Sequence, residues 1–309
     1  MTNLTAKRFT DETAARNHLE SVRWPDGPVC PHCGVINHAH RIEGKSARPG
    51  LWFCADCRKQ FTVTVGTLFE DSKVPLNKWL LAVHFMSASK KGMSAHQLHR
   101  MLGVTYKTAW FMAHRIREAM RELHPEPIGG QGKTVEADET VIGGKERNKH
   151  KSKRNPRNIG AVGKEIAFSL VERGGKVRSH HVPNVTSKTL RPILVAQVDR
   201  KSILMTDDAG QYRVIGPEFA GYHTVNHGIE EHVRREAHTN TIEGYFSILK
   251  RGINGTYHHV SQQHLKRYLA EFDFRYNERI ALGVTDDERA EKALIGIGGK
   301  RLTYRRADA

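Results

Sequence analysis

Four cysteines, all that the chain has, fall in two pairs spaced C-x2-C-x20-C-x2-C: Cys30 and Cys33 in CPHC, Cys54 and Cys57 in CADC. No other feature constrains the fold as tightly. Each pair puts two thiolates on one tight turn, and two such turns close a tetrahedral four-sulfur site suited to Zn²⁺. Disulfides are the competing explanation, which the absence of a signal-peptide core in the N-terminal residues disfavours. A four-thiolate site has no open position, so the metal is expected to be structural. The stretch WFCADCRKQFTVTVGTLF alternates after the second pair, which makes residues 1–74 a zinc ribbon behind a short helix from Asp11 to Val22. His32, His38 and His40 are expected at the surface, and Arg41, Lys45, Arg48, Arg58 and Lys59 make the ribbon basic.

That basic character extends along the chain. Lys and Arg number 49 against 33 Asp and Glu, a formal charge of +16 over 309 residues, which favours a polyanionic partner. No apolar run approaches the length of a membrane span, so the expected setting is the cytoplasm, in association with the nucleoid, with no membrane contact.

Residues 75–124 carry apolar positions at helical spacing in WLLAVHFM, AHQLHRML and TAWFMAHRIREAM. Within them SAHQLHRMLGVTYKTAWFMAHRIREAM reads as a helix-turn-helix-like module. Ser94 caps the first helix, Gly103 makes the turn, and Thr105 caps a second helix that presents Tyr106, Lys107 and Thr108 where recognition helices meet base edges. His114, Arg115 and Arg117 are expected nearer the nucleic-acid backbone.

Pro and Gly in PEPIGGQGK make 125–133 a linker, and 134–285 a mixed α/β domain. Its strands are TVEADETVI, EIAFSLVER, KVRSHHVP and SILMTDD, with SKTLRPILVAQV an intervening helix and NTIEGYFSILKRGI a later amphipathic one. Between the first two strands, KERNKHKSKRNPR holds seven Lys or Arg and one acid. Such a run stays solvated, and Lys149, Lys151, Lys153 and Arg154 are candidate phosphate contacts. Residues 286–309 are expected to be a basic C-terminal tail.

Three acids stand out in this basic setting. Asp138 lies in a strand-like segment, Asp207 ends the apolar run Ile203-Leu204-Met205, and Glu243 sits on a helix whose buried stripe includes Ile242, Phe246 and Leu249. Strand, strand and helix are the placements of a ribonuclease-H-like site in which carboxylates hold two Mg²⁺ or Mn²⁺ ions for phosphoryl transfer. Glu139 and Asp208 are alternatives, since neighbours on a strand face opposite ways and one of each pair aims into the site. We take Asp138 and Asp207.

The CPHC and CADC ribbon, DETVIGGK, TDD, VNHGIEEHVRREAHTNTIEGYFSILKRGINGTYHHVS and YLAEFDFRYNER together resemble the zinc-ribbon-bearing insertion-sequence transposases of the DDE type. The resemblance covers roughly residues 30–279. It implies a ribonuclease-H-like catalytic domain that cleaves at transposon ends and joins a 3′-hydroxyl to target DNA, with Asp138, Asp207 and Glu243 as the triad. His238, Asn240, Lys250 and Arg251 also match, and Lys250 and Arg251, two turns beyond Glu243, are candidates for phosphate near the scissile bond. The implied partners are terminal inverted repeats and target DNA, bridged by a homo-oligomer. A zinc-ribbon DNA-binding regulator with a non-catalytic nuclease-like scaffold is the competing function, and a simple nuclease is a third.

Overall fold

The computed structural model describes residues 3–144, 149–156, 162–225 and 238–303. The chain divides into two compact units, Met1–Arg121 with Gly283–Ala309, and Glu122–Leu282.

The first unit opens with helices α1 (Lys7–Thr10) and α2 (Glu12–Arg23), the latter capped by the Asp11 carboxylate, which accepts the Ala14 N–H at 2.6 Å. A three-stranded antiparallel sheet follows, made of β1 (Ala39–Arg41), β2 (Trp52–Cys54) and β3 (Gln60–Phe61) in that order. Three helices come next: α3 (Leu76–Ala88), α4 (Ala95–Leu102) and α5 (Tyr106–Ala119). The turn between α4 and α5 has the chemistry its sequence dictates. Ser94 Oγ accepts the Gln97 N–H, Gly103 takes the left-handed conformation (φ 60°) that ends α4, and Thr105 Oγ1 accepts the Thr108 N–H to start α5.

The second unit is a five-stranded mixed sheet built from β4 (Thr134–Ile142), β5 (Glu165–Glu172), β6 (Val177–Val182), β7 (Ile203–Asp207) and β8 (Gly221–Val225). The order is β6-β5-β4-β7-β8, with β4, β5 and β6 antiparallel and β4, β7 and β8 parallel. Side chains along β5 alternate between two cores. Phe168 and Leu170 join Leu190 and Leu194 of α6 (Ser187–Gln197) and Tyr212 of α7 (Gly210–Ile215), whereas Ala167 and Val171 join Ile242, Tyr245 and Leu249 of α8 (Asn240–Gly252) and Leu265 and Phe272 of α9 (Gln262–Asn277). Helix α8 runs on into a π-helical turn, Ile253–Tyr257.

Two segments differ from the sequence reading. The stretch 125–133, expected as a linker, is pinned into the second unit. The Ile128 N–H donates to Gln197 O, Gly129 N–H to Glu172 Oε2 and Gly130 N–H to Ser202 Oγ. Its glycines serve a folded-back turn, with φ of 91° at Gly129 and 126° at Gly130, so the composition that suggested flexibility is required by tight geometry. The segment 286–309, expected as a tail, begins with helix α10 (Asp286–Ile295), which packs on α3 within the first unit. A capping box between Thr285 and Glu288 starts it, and Ala290, Ala293, Leu294 and Ile297 form a buried stripe. Lys300 then donates to the carbonyls of Glu118, Ala119 and Arg121 at the end of α5. Residues 304–309 lie outside the described set.

Candidate active site and metal centres

The ribbon's metal centre follows from two matching turns. In the first, Gly34 N–H donates to Cys30 O and Cys30 N–H to Val35 O; in the second, Arg58 N–H donates to Cys54 O and Cys54 N–H to Lys59 O. Each turn needs a residue of positive φ just after its second cysteine, and Gly34 (77°) and Arg58 (57°) occupy those places. The four sulfurs therefore converge. All lie within 4.8 Å of one another, with Cys30 and Cys57 at 3.6 Å and Cys33 and Cys54 at 3.7 Å. Zn–S bonds of about 2.3 Å in a tetrahedron separate sulfurs by about 3.8 Å, so the donor set fits a structural Zn²⁺. These distances are too long for disulfides.

The acids are brought together by strand register. Thr134 pairs with Ile203 and Glu136 with Met205 in the parallel β4–β7 ladder, and two residues further along each strand stand Asp138 and Asp207. Glu136 and Asp138 share the α8 face of β4, whereas Val135, Ala137 and Glu139 face α6 and α7. Glu243 sits in the first turn of α8, one residue after Ile242, which anchors that helix in the core. Burial pushes the Asp138 carboxyl up to about 7, and the like charges of Glu139, Asp207 and Glu243 push the same way. Asp207 and Glu243 thus act on Asp138 electrostatically. The acid oxygens do not crowd as the cysteine sulfurs do: among the described residues, only the cysteines gather three or more ligand atoms within 4.8 Å.

The acidic neighbours have other partners. Asp208 forms a two-pronged ion pair with Arg213, at 3.2 and 2.9 Å. Glu139 accepts from Tyr212 Oη and Gln211 Nε2 of α7, and burial raises its pKa. Asp207 accepts the Ala209 N–H at 3.3 Å, and Glu243 the Thr239 hydroxyl at 3.3 Å.

A cavity of about 730 Å³ opens over Asp138, Glu139, Thr140 and Glu243 and continues past Phe246, Ser247, Lys250, Arg251, Asn254 and Gly255. Glu243, Ser247, Lys250, Arg251 and Asn254 recur at helical spacing, opposite the buried stripe of α8, so the helix carries acid at one end of the cavity and positive charge at the other. Asp207 does not line this cavity.

The remaining expected nucleic-acid residues scatter. Tyr106 and Lys107 are exposed at the start of α5, with Tyr106 stacked on His96 at 4.3 Å, and Thr108 is half-buried against the Thr105 cap. Lys149, Lys151 and Arg154 are exposed on a short helical turn, Lys151–Lys153; the Lys153 side chain and residues 145–148 and 157–161 lie outside the described set. Arg115 differs from expectation. Its guanidinium donates to Glu70 O and Leu302 O and covers the Phe111 ring, so it braces the first unit. His114 and Arg117, expected near the backbone, are buried, because they fall on the inward stripe of α5 with Ala113 and Ile116.

A model of the ISXO2-like transposase domain matches residues 129–277, and a model of the transposase zinc-ribbon domain matches residues 10–60. A Halobacterium salinarum protein described as "Uncharacterized protein in transposable element ISH50" is 30% identical over 284 residues, covering 87% of this chain and 92% of that one. The chain belongs to the ISXO2-like transposases. A Haemophilus influenzae "Uncharacterized transposase-like protein" is 29% identical over 102 residues, 33% of this chain and 81% of its own. The zinc-ribbon model encloses the cysteine quartet, and the transposase-domain model encloses the three acids. No helix among the described residues is long and apolar enough to cross a membrane.

Sequence reasoning missed Glu136 and Arg173 beside the acids. Glu136 is a fully buried carboxylate on the face that Asp138 shares. Its signal was visible: a charged residue inside the apolar stretch Val135 to Ala137, at strand spacing from Asp138.

Proposed function

We propose that this transposase-family chain binds the terminal inverted repeats of an insertion sequence and catalyses divalent-metal-dependent DNA strand cleavage and strand transfer. The observation that carries this reading is the buried Asp138, in electrostatic contact with Asp207 and Glu243, under a cavity rimmed by Lys250 and Arg251. The strand order, with three antiparallel strands continued by two parallel ones, supports a ribonuclease-H-like catalytic domain.

In this reading Asp138, Asp207 and Glu243 hold Mg²⁺ or Mn²⁺ through hard carboxylate oxygens, and the mutual repulsion of the acids favours cation uptake. Cations held there would supply charge stabilisation to the attacking and leaving oxygens of an in-line displacement. Lys250 and Arg251 hold the phosphodiester backbone over the acids, so that a water attacks the phosphorus at the element end and releases a 3′-hydroxyl, and that hydroxyl then attacks a phosphorus of the target strand, whose own 3′-oxygen leaves. Residues 75–124, with Tyr106, Lys107 and Thr108 exposed or half-exposed at the start of α5, serve as a helix-turn-helix-like reader beside the ribbon of residues 1–74. Lys149, Lys151, Lys153 and Arg154 add phosphate contacts, which act on affinity more than on sequence choice. Joining two element ends calls for a homo-oligomer, and the net charge of +16 suits residence on the nucleoid.

A strand-transfer assay with element-end oligonucleotides and Mg²⁺ tests this, run on the wild-type chain and on Asp138→Ala, Asp207→Ala and Glu243→Ala. Joined products from the wild type alone are expected. Products that persist in the variants remove the triad, and binding without chemistry by the wild type favours a DNA-binding regulator.

A further inference from the structure

We infer that Glu136 and Arg173 are positioning residues, an ion pair between a fully buried carboxylate and a partly exposed guanidinium that holds the three acid-bearing elements in the alignment a cation pair requires. The inference rests on the transposase reading above.

Glu136 has no solvent exposure. A carboxylate so placed is costly unless each oxygen is satisfied, and here both are. Oε1 accepts from Arg173 Nε at 2.7 Å, and Oε2 accepts the backbone N–H of Ile242 at 2.9 Å. Arg173 stands just beyond β5, where its own N–H donates to Thr134 O at the start of β4. Its Nη2 reaches the Met205 sulfur at 2.8 Å and the His238 carbonyl at 2.7 Å. His238 Nδ1 lies 3.4 Å from Glu136 Oε1.

Each partner adjoins an acid of the triad. Glu136 precedes Asp138 by two residues on the same face of β4, Met205 precedes Asp207 by two on β7, and Ile242 immediately precedes Glu243 on α8. The pair therefore joins β4, β7 and α8 one pleat below the site. A one-residue slip of β7 against β4, or a turn of α8 about its axis, breaks at least one of these bonds.

Helix α8 depends on the pair in a second way. No side chain of its own caps it: Thr239, at the N-cap position, makes no capping bond, and its hydroxyl donates to Glu243 instead. The Glu136 carboxylate takes over that role from another element, placing negative charge against the first-turn N–H groups. It thereby sets the height and rotation of the turn that presents Glu243.

Stability alone does not explain a buried carboxylate at Glu136, since apolar residues of similar volume often stabilise a core as well as a buried ion pair does. What the pair adds is direction. Charge-assisted hydrogen bonds fix distance and angle between three elements that share no continuous backbone.

The test separates alignment from stability. Mn²⁺ binding to the full-length chain is followed by the loss of free-ion paramagnetic resonance signal, and cleavage of element-end oligonucleotides is titrated with Mg²⁺, for wild type, Glu136→Gln, Arg173→Lys and the double variant Glu136→Leu/Arg173→Met. Thermal melting is recorded on each. Both single variants are expected to weaken Mn²⁺ binding by about ten-fold or more and to raise the Mg²⁺ midpoint in parallel, with much of the rate recovered at saturating cation. The double variant, whose apolar pair maintains folding, is expected to show the same weakened cation binding at near-normal melting temperature. Variants that bind Mn²⁺ and respond to Mg²⁺ like the wild type, whatever their melting temperature, overturn the inference. A wild-type chain that neither takes up Mn²⁺ nor cleaves overturns the transposase reading itself, which is a distinguishable result.

Discussion

The two candidate metal centres differ in how far apart in the chain their ligands lie. The ribbon's four sulfurs come from two turns, Cys30–Val35 and Cys54–Lys59, with the same hydrogen bonds, and they converge to within 4.8 Å of one another. The three acids come from a strand, a parallel neighbour strand and a helix, and they do not gather within the 4.8 Å that encloses the sulfurs. A closed site formed by local turns holds a metal as part of the fold, whereas an open site set by register leaves room for substrate. Each arrangement has its own expected vulnerability: loss of metal for the ribbon, loss of alignment for the acids.

Removing zinc gives the largest effect that this contrast predicts. Chelation, or Cys54→Ser, is expected to destabilise the ribbon by roughly 10 kcal/mol, as structural zinc sites do, and to lower the melting temperature of the transition in which it takes part. Zinc content and scanning calorimetry check this, and a chain that melts unchanged without zinc would make the cysteines incidental. Asp138→Ala comes next, with an expected fall in strand cleavage of at least about 10²–10³-fold, or about 3–4 kcal/mol, at nearly unchanged DNA affinity. Gel-shift and cleavage assays on the same preparation separate the two quantities.

A smaller effect appears in the pH dependence of stability without divalent cations. Burial raises the Asp138 carboxyl from 3.8 to about 7, so the folded chain holds that proton more tightly than the unfolded one. The contribution is greatest below about pH 4 and declines as pH rises towards 7, because the unfolded state releases the proton first. Asp138→Asn is expected to flatten this decline in melts between pH 4 and 7.5, and an unchanged slope would show that the acid is not buried among like charges. The smallest effect belongs to the ribbon's second turn. Arg58→Gly, which relieves a left-handed arginine (φ 57°), is expected to be neutral or stabilising by about 1 kcal/mol in thermal melts, with zinc retained.

Legibility in the sequence follows the same division. The cysteine spacing carries its geometry with it, and so do Ser94, Gly103 and Thr105 around the α4–α5 turn, because caps and knuckles are local. Strands β4 to β7 were readable from alternation, but β8 was not, since GYHTV is a short edge strand whose pairing depends on β7. Strand alternation puts Asp138 and Glu139 on opposite faces of β4, yet both line the cavity, so alternation alone does not choose between them. Arg115 and the segment 286–309 misled for one reason. Positive charge suggested a surface or a tail, while the apolar stripes beside that charge, Met112-Ala113-Ile116 and Ala290-Ala293-Leu294, were already those of packed helices. Arg173 was not legible at all, because its partners lie on three other segments.

In the proposed function Asp138, Asp207 and Glu243 together hold the divalent cations of a strand-transfer site. Anomalous diffraction at the manganese edge, from crystals of the full-length chain soaked in Mn²⁺, tests it most directly. The expected result is anomalous density bounded by those three carboxylates and lost in Asp138→Asn crystals. Density held by Asp208 or Glu139 in their place, or none near α8 while the ribbon keeps its zinc, would contradict the claim.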